Sequence, residues 1–287
     1  MRIRALRIVS PLLLMSPLAL VLTACGGSNV NRINNQGGGM CSGCSFLYAS
    51  TNAGQILSYQ IDSGGTLGTP SSTANLLGSD SPYLVGFGPE FYASDAHSNA
   101  IDGFVVNSSN GTLTAMTGSP FSLGSAPGDP DGLATIGNYL YAGNTNGTVS
   151  AFNVNPAGGL TAISGSPFAA GFAPVNLAAA NLNALSSPVL YAADFSGAVI
   201  WAFTIGSDGG LTVVPGSPFA APVNSSPAGM FVGGSESQGI LYVALNAANQ
   251  IAVFSISASG ALTPLPGSPF PAGRGPEAIV GSTFSMP

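Results

Sequence analysis

Residues 240–280 read ILYVALNAANQIAVFSISASGALTPLPGSPFPAGRGPEAIV, and this one stretch decides the fold. Residues 240–244 are apolar, with β-branched Ile240 and Val243 and aromatic Tyr242, which suits a short strand. Asn246, Ala247, Ala248 and Asn249 then break the run. QIAVFSI at 250–256 alternates apolar with polar side chains at a period of two, as a half-buried strand does. Ala258, Ser259 and Gly260 turn the chain, and Leu262 begins a third strand. Gly267-Ser268-Pro269-Phe270 reads as a corner, and residues 276–280 (PEAIV) read as a fourth strand led by a proline.

The same pattern recurs backwards along the chain. Gly-Ser-Pro-Phe starts at Gly118, Gly165, Gly216 and Gly267, at steps of 47, 51 and 51 residues. An aromatic dipeptide keeps the same beat at Leu47-Tyr48, Phe91-Tyr92, Leu140-Tyr141, Leu190-Tyr191 and Leu241-Tyr242. Proline-led strands begin at Pro82, Pro130, Pro174, Pro227 and Pro276. Four short strands at this period form the unit of a β-propeller blade. The expectation is an all-β propeller of about five four-stranded blades. The domain opens on an aromatic strand and ends on a proline-led one, so the last proline-led strand is expected to complete the first blade. Pairing the N- and C-terminal strands would close the ring and remove exposed sheet edges. Residues 67–77, where a first Gly-Ser-Pro-Phe belongs, retain only Gly68-Thr69-Pro70.

The N-terminus differs from everything after it. Arg2, Arg4 and Arg7 precede an apolar run that ends at Leu22-Thr23-Ala24-Cys25, a charged, then apolar, then small-residue order that reads as a secretory signal over residues 1–24. Leu-Thr-Ala-Cys resembles the bacterial lipobox, and that resemblance implies lipidation of Cys25 and anchoring to a membrane on the extracytoplasmic side. Residues 25–45 are rich in Gly, Ser and Asn and read as a flexible tether. Within it, Cys41 and Cys44 lack the second pair or histidines of a metal site and the following His of a haem site. A local disulfide in an oxidising compartment is the expectation. The propeller then spans residues 46–287.

Charge narrows the function classes. The chain has no lysine, and beyond Cys25 only Arg32 and Arg274 are basic, against eleven acids. A nucleic-acid surface needs a basic stripe, so nucleic-acid binding is excluded.

The Leu-Tyr-Ala and Leu-Tyr-Val strands, the alternating strands ending Phe-x-Val or Phe-x-Ile, and the Gly-Gly-x-Leu-Thr turns resemble the lactonase-type and YVTN-type bacterial β-propellers over residues 46–284. That family usually has seven blades, so a count of five departs from it. The resemblance implies a lactonase-type activity as one expectation, and its matching residues are structural ones.

Candidate chemistry sits in loops. Asp80, Asp129, Asp131, Arg274 and Glu277 lie in or beside the outer-to-inner connections, while Asp95, His97 and Asp194 lie between middle strands. Both sets open on one face. Asp129, Asp131 and Glu277, with Asp95 and Asp194, are the ligand-binding candidates, for a small polar or cationic ligand or a Ca²⁺-like ion. No cofactor is expected otherwise. His97 as a base, Arg274 as an oxyanion stabiliser and Glu277 are the catalytic candidates for opening a cyclic ester. One arginine is too few to cradle a phosphosugar, so an enzyme of this kind would take an uncharged lactone or sugar-derived ester. The leading expectation is a monomeric, membrane-anchored scaffold at the cell envelope, binding a peptide, glycan or neighbouring envelope protein. The alternative is the lactonase-like hydrolase.

Overall fold

A computed structural model of the chain describes residues 20–21, 45–51, 53–62, 66–76, 82–124, 128–235 and 238–279. Cys25, Cys41, Cys44 and Asp80 lie outside the described residues. Blade 1 holds β1 (Leu20–Val21), β2 (Ser45–Ser50), β3 (Gln55–Ile61) and β4 (Ser71–Asn75). Blade 2 holds β5 (Leu84–Phe87), β6 (Glu90–Asp95), β7 (Ala100–Val106), β8 (Leu113–Ala115) and β9 (Phe121–Ser122). Blade 3 comprises β10 (Pro130–Ile136), β11 (Tyr139–Asn144), β12 (Thr148–Val154), β13 (Leu160–Ala162) and β14 (Phe168–Ala169). Blade 4 comprises β15 (Pro174–Ala180), β16 (Val189–Asp194), β17 (Val199–Ile205), β18 (Leu211–Val213) and β19 (Phe219–Ala220). Blade 5 runs through β20 (Pro227–Ser235), β21 (Gln238–Leu245), β22 (Gln250–Ile256), β23 (Leu262–Pro264) and β24 (Phe270–Pro271). All five sheets are antiparallel meanders, as the sequence predicts, and the described residues contain no helix.

Apolar side chains on both faces of the middle strands weld neighbouring blades together. Leu190 packs back on blade 3 with Tyr141, Leu177 and Phe203, while Tyr191 packs forward with Met230, Leu241 and Phe254 of blade 5. Equivalent cores lie between blades 1 and 2 around Phe91 and between blades 2 and 3 around Leu140. Each fully buried side chain of this size contributes about 1.5–3 kcal/mol. The tyrosine of each aromatic dipeptide has a second job. Tyr48, Tyr92, Tyr141 and Tyr191 donate their hydroxyls to the carbonyls of Gly111, Gly158, Gly209 and Gly260 in the next blade, at 2.6–2.9 Å. The turn that receives the bond needs glycine. At Gly209 φ is 81°, and a Cβ would lie 2.5 Å from Ile163 and from Tyr139.

The Gly-Ser-Pro-Phe motif differs from its sequence reading. It is no corner between blades. In blade 4, β18 and β19 both pair with β17, at Ile205↔Leu211 and at Ile200↔Phe219, so the motif bridges two halves of one interrupted edge strand. The serine hydroxyl fills the gap: Ser119, Ser166, Ser217 and Ser268 accept from the backbone N–H of Gly103, Ala151, Ala202 and Val253 at 2.9–3.0 Å. Those N–H groups would otherwise be unpaired mid-strand. The Ser-Pro bonds are cis in all four copies. Phe121, Phe168 and Phe219 pack against the inter-blade cores.

Closure also differs. Leu20–Val21, from the expected leader, fills the inner place of blade 1, pairing Leu20↔Ala49 and Val21↔Tyr48. Residues 276–279 belong to no strand among those described, although Gly229 N–H donates to the Glu277 carbonyl at 2.8 Å. The expected pairing of residues 276–280 with the first blade is therefore not present among the described residues, because another segment holds that edge.

Candidate active site

The first strands of the blades bring polar groups from different blades together. β10, β15 and β20 each begin with a proline and a register shift, between Pro130 and Leu133, Pro174 and Asn176, and Pro227 and Met230. Such bulges re-aim the first side chains of a strand. The strands also approach closely, since a Cβ on Gly132 would lie 2.6 Å from the Val175 carbonyl and 2.8 Å from Asn176 Cα. Asn176, only 9% exposed, reaches across from blade 4 to blade 2, its Nδ2 donating to the Tyr83 hydroxyl at 2.8 Å. Its Oδ1 accepts from Met230 N–H at 3.2 Å, which fixes which end of the amide faces Tyr83. Because the phenol oxygen is already an acceptor, its own O–H remains to be aimed elsewhere.

Asp131 stands beside this pair. Burial pushes its carboxyl up to about 6. Burial likewise raises the Tyr83 phenol, the Asn176 bond opposes that rise, and the charge of Asp131 adds to it. A carboxylate held near neutrality next to a phenol with a spare proton is an acid–base pair of the kind hydrolysis requires.

The other sequence candidates lie elsewhere. Asp129 is exposed, at φ 44°, and its carbonyl accepts from Thr145 N–H at 3.3 Å. Asp194 is fully buried, and its carboxylate accepts from the N–H groups of Phe172, Ala173 and Gly197 at 2.8–3.1 Å, which ties two loops to β16. Asp95, also buried, accepts from Ser98 N–H at 3.1 Å. His97, Arg274 and Glu277 are exposed, and no ion pair joins them among the described residues. The structure thus sets the Asp131 carboxylate close enough to Tyr83 to act on its phenol, while His97, Arg274 and Glu277 are exposed and make no ion pair among the described residues. Among the described residues, no group of three or more His, Cys, Asp or Glu side chains could hold a metal ion. A cleft of about 460 Å³ opens on the same face between blades 4 and 5, lined by Phe195, Gly197, Ala198, Val223, Asn224 and Ser226.

Asn176 escaped the sequence reading, yet a signal was there. It is the one polar side chain at a position filled by Leu84, Gly132, Gly229 and Ala278 in the other proline-led repeats.

No protein-family model matches the chain, and no curated protein matches it. Solved structures do. A candidate 6-phosphogluconolactonase from Bacteroides fragilis superposes with a TM-score of 0.65 at 21% identity, over 81% of this chain and 69% of that one. A similar protein from Bacteroides uniformis gives 0.61 at 19% identity, over 82% and 70%. The periplasmic gluconolactonase of Pseudomonas aeruginosa gives 0.63 at 17% identity, over 81% and 68%. The fold is that of the lactonase-type β-propellers. Among the described residues this chain forms five blades, and Asn176 joins blade 4 to Tyr83 beside Asp131.

Proposed function

We propose that the protein is a lactonase-type hydrolase whose centre is the Tyr83–Asp131–Asn176 cluster, acting on an uncharged lactone or sugar-derived ester. The observation that carries this reading is Asp131, a carboxylate raised to about 6 beside a phenol oriented by Asn176. The lactonase folds of the neighbouring structures support a hydrolase over a pure scaffold. In the reaction Asp131 takes a proton from water as its oxygen attacks the lactone carbonyl carbon. The Tyr83 O–H donates to the carbonyl oxygen as negative charge develops there. The ring C–O bond then breaks, and the leaving oxygen takes the proton back from Asp131, giving a hydroxy acid. With Arg274 exposed and no other cation in the propeller, a neutral substrate fits better than a phosphorylated one. The charged-then-apolar order of residues 1–24 and the Leu22-Thr23-Ala24-Cys25 sequence support a setting outside the cytoplasm, on a membrane-anchored protein, for this chemistry.

The test is a panel of neutral lactones assayed with the wild type, Asp131→Asn and Tyr83→Phe. Turnover that rises with pH through about 6 and is lost in Asp131→Asn is the expected result. Turnover retained in Asp131→Asn but lost in His97→Ala would move the base to the loop. No turnover on any lactone would return the protein to the scaffold reading.

A further inference from the structure

The two ends of the propeller are unfinished in complementary ways. Tyr48, Tyr92, Tyr141 and Tyr191 are all buried at 2% exposure or less and hydrogen-bonded to the next blade. Tyr242, their equivalent in blade 5, is only half-buried, and its hydroxyl has no such bond among the described residues. Around it, Ile251 and Leu265 are half-buried and Phe270 is 44% exposed, where Ile200 and Val214 of blade 4 are fully buried. On blade 1 the opposite face is open: Leu57, Tyr59 and Ile61 are half-buried and Leu67 is 46% exposed, against 6–9% for Leu113, Leu211 and Leu262. Among the described residues, no blade follows blade 5 and none precedes blade 1.

A segment fit to join them is already in place. In blades 3, 4 and 5 the third residue after the leading proline pairs with the residue that follows the tyrosine: Leu133↔Ala142, Leu177↔Ala192, Met230↔Val243. By that rule Ile279, third after Pro276, belongs opposite Ala49. Residues 276–279 also sit against β20 as β15 sits against β10. A Cβ on Gly229 would lie 2.5 Å from the Glu277 carbonyl, and one on Gly132 lies 2.6 Å from that of Val175. Yet the residue paired with Ala49 is Leu20.

We infer that Leu20–Val21 is a placeholder: the leader occupies the β2 edge in the register meant for the C-terminal segment, and its withdrawal lets residues 276–279 pair with β2 and close blade 5 onto blade 1. The leader thereby keeps the ring open until it is removed. Both segments are apolar at the shared position, and an edge strand can hold only one partner on its free side. Closure would bury the Tyr242 face against the Leu57–Leu67 face and supply the fifth inter-blade core.

Cysteine cross-linking of the full chain tests this, with Cys25, Cys41 and Cys44 replaced by serine so that the leader is retained. Leu20→Cys with Ala49→Cys should cross-link. Ile279→Cys with Ala49→Cys should not, until Leu20→Asp and Val21→Pro are added to strip the leader from the edge; then it should. Leu177→Cys with Ala192→Cys, an observed pair in blade 4, should cross-link in every chain and reports that the propeller has folded. An Ile279–Ala49 cross-link that forms equally with and without the leader substitutions would overturn the placeholder role. Its absence in both, with the blade 4 cross-link intact, would overturn the closure and leave an open arc. Neither result bears on the lactone assay.

Discussion

Asp131 couples the proposed chemistry to stability, and replacing it with asparagine exposes the coupling. The carboxyl moves from an ordinary 3.8 to about 6 on folding because it is buried. Below pH 3.8 both folded and unfolded chains carry the proton, and the group is neutral in its effect. Between 3.8 and about 6 the folded chain holds a proton that the unfolded chain has released, so stability falls as pH rises through this window. Above it the full cost is present, about 3 kcal/mol for a shift of this size, and nearer 2 once partial solvent access is allowed for. Asparagine has the same shape and no charge to desolvate. Asp131→Asn should therefore unfold at higher denaturant than wild type at pH 8, by an amount equivalent to about 2 kcal/mol, and match it near pH 4. Paired denaturation curves at half-unit pH steps read this directly. A variant that is less stable than wild type at pH 8, or a difference that does not change between pH 4 and 7, would refute the burial argument. The same substitution should abolish lactone turnover, so stability is gained where activity is lost.

Other consequences follow from the same geometry. Asp102 is also raised to about 6, by burial first and by the charge of Asp95 second, with the Ser119 hydroxyl opposing. Asp102→Asn should flatten the same pH window in denaturation curves, additively with Asp131→Asn because the two belong to different blades. Tyr191→Phe orphans the buried Gly260 carbonyl and should cost about 1–3 kcal/mol in thermal unfolding, while Tyr242→Phe in the leader-retaining chain should cost almost nothing. Ser217→Ala removes the acceptor for Ala202 N–H inside blade 4 and should destabilise by about 1–2 kcal/mol, read as a lower melting temperature. Asn176→Leu removes the bond that favours the Tyr83 phenolate, so a spectroscopic titration should find that phenol titrating higher than in wild type.

The parts of the fold that were legible in the sequence are those written as side-chain periodicity. QIAVFSI marks β22 at its observed ends, Gln250–Ile256, because each alternate residue has its own core to enter. The Leu-Tyr dipeptides are readable for the same reason, as their two side chains serve the blades on either side. Gly-Ser-Pro-Phe misled because its serine serves the backbone of a neighbouring strand rather than a core. The serine hydroxyl stands in for a missing strand carbonyl, and composition alone cannot distinguish that bridge from a corner. Partner choice at a free strand edge is likewise invisible to periodicity. Leu20–Val21 and the apolar end of residues 276–279 are equally good strand formers, and only the register opposite Ala49 reveals that they compete.

The site was half legible for a related reason. Loop charges are conspicuous in a chain this poor in them, so Asp95, Asp129, Asp194, His97, Arg274 and Glu277 all drew notice. Conspicuous charge is a poor guide where the backbone itself needs acceptors. Asp194 spends its carboxylate on three loop N–H groups, and Asp95 serves Ser98. Asp131 differs in lying within the register shift at the start of β10, where no backbone donor is bonded to its carboxylate among the described residues and burial raises its affinity for a proton. Asn176 matters through its reach to Tyr83, residues 93 positions apart, and a contact of that span is fixed by the ring rather than by any local pattern. Chemistry in this propeller is to be sought where a repeat position departs from its equivalents. By that criterion Tyr83, Asp131 and Asn176 are the residues whose loss should remove activity while leaving the blades assembled.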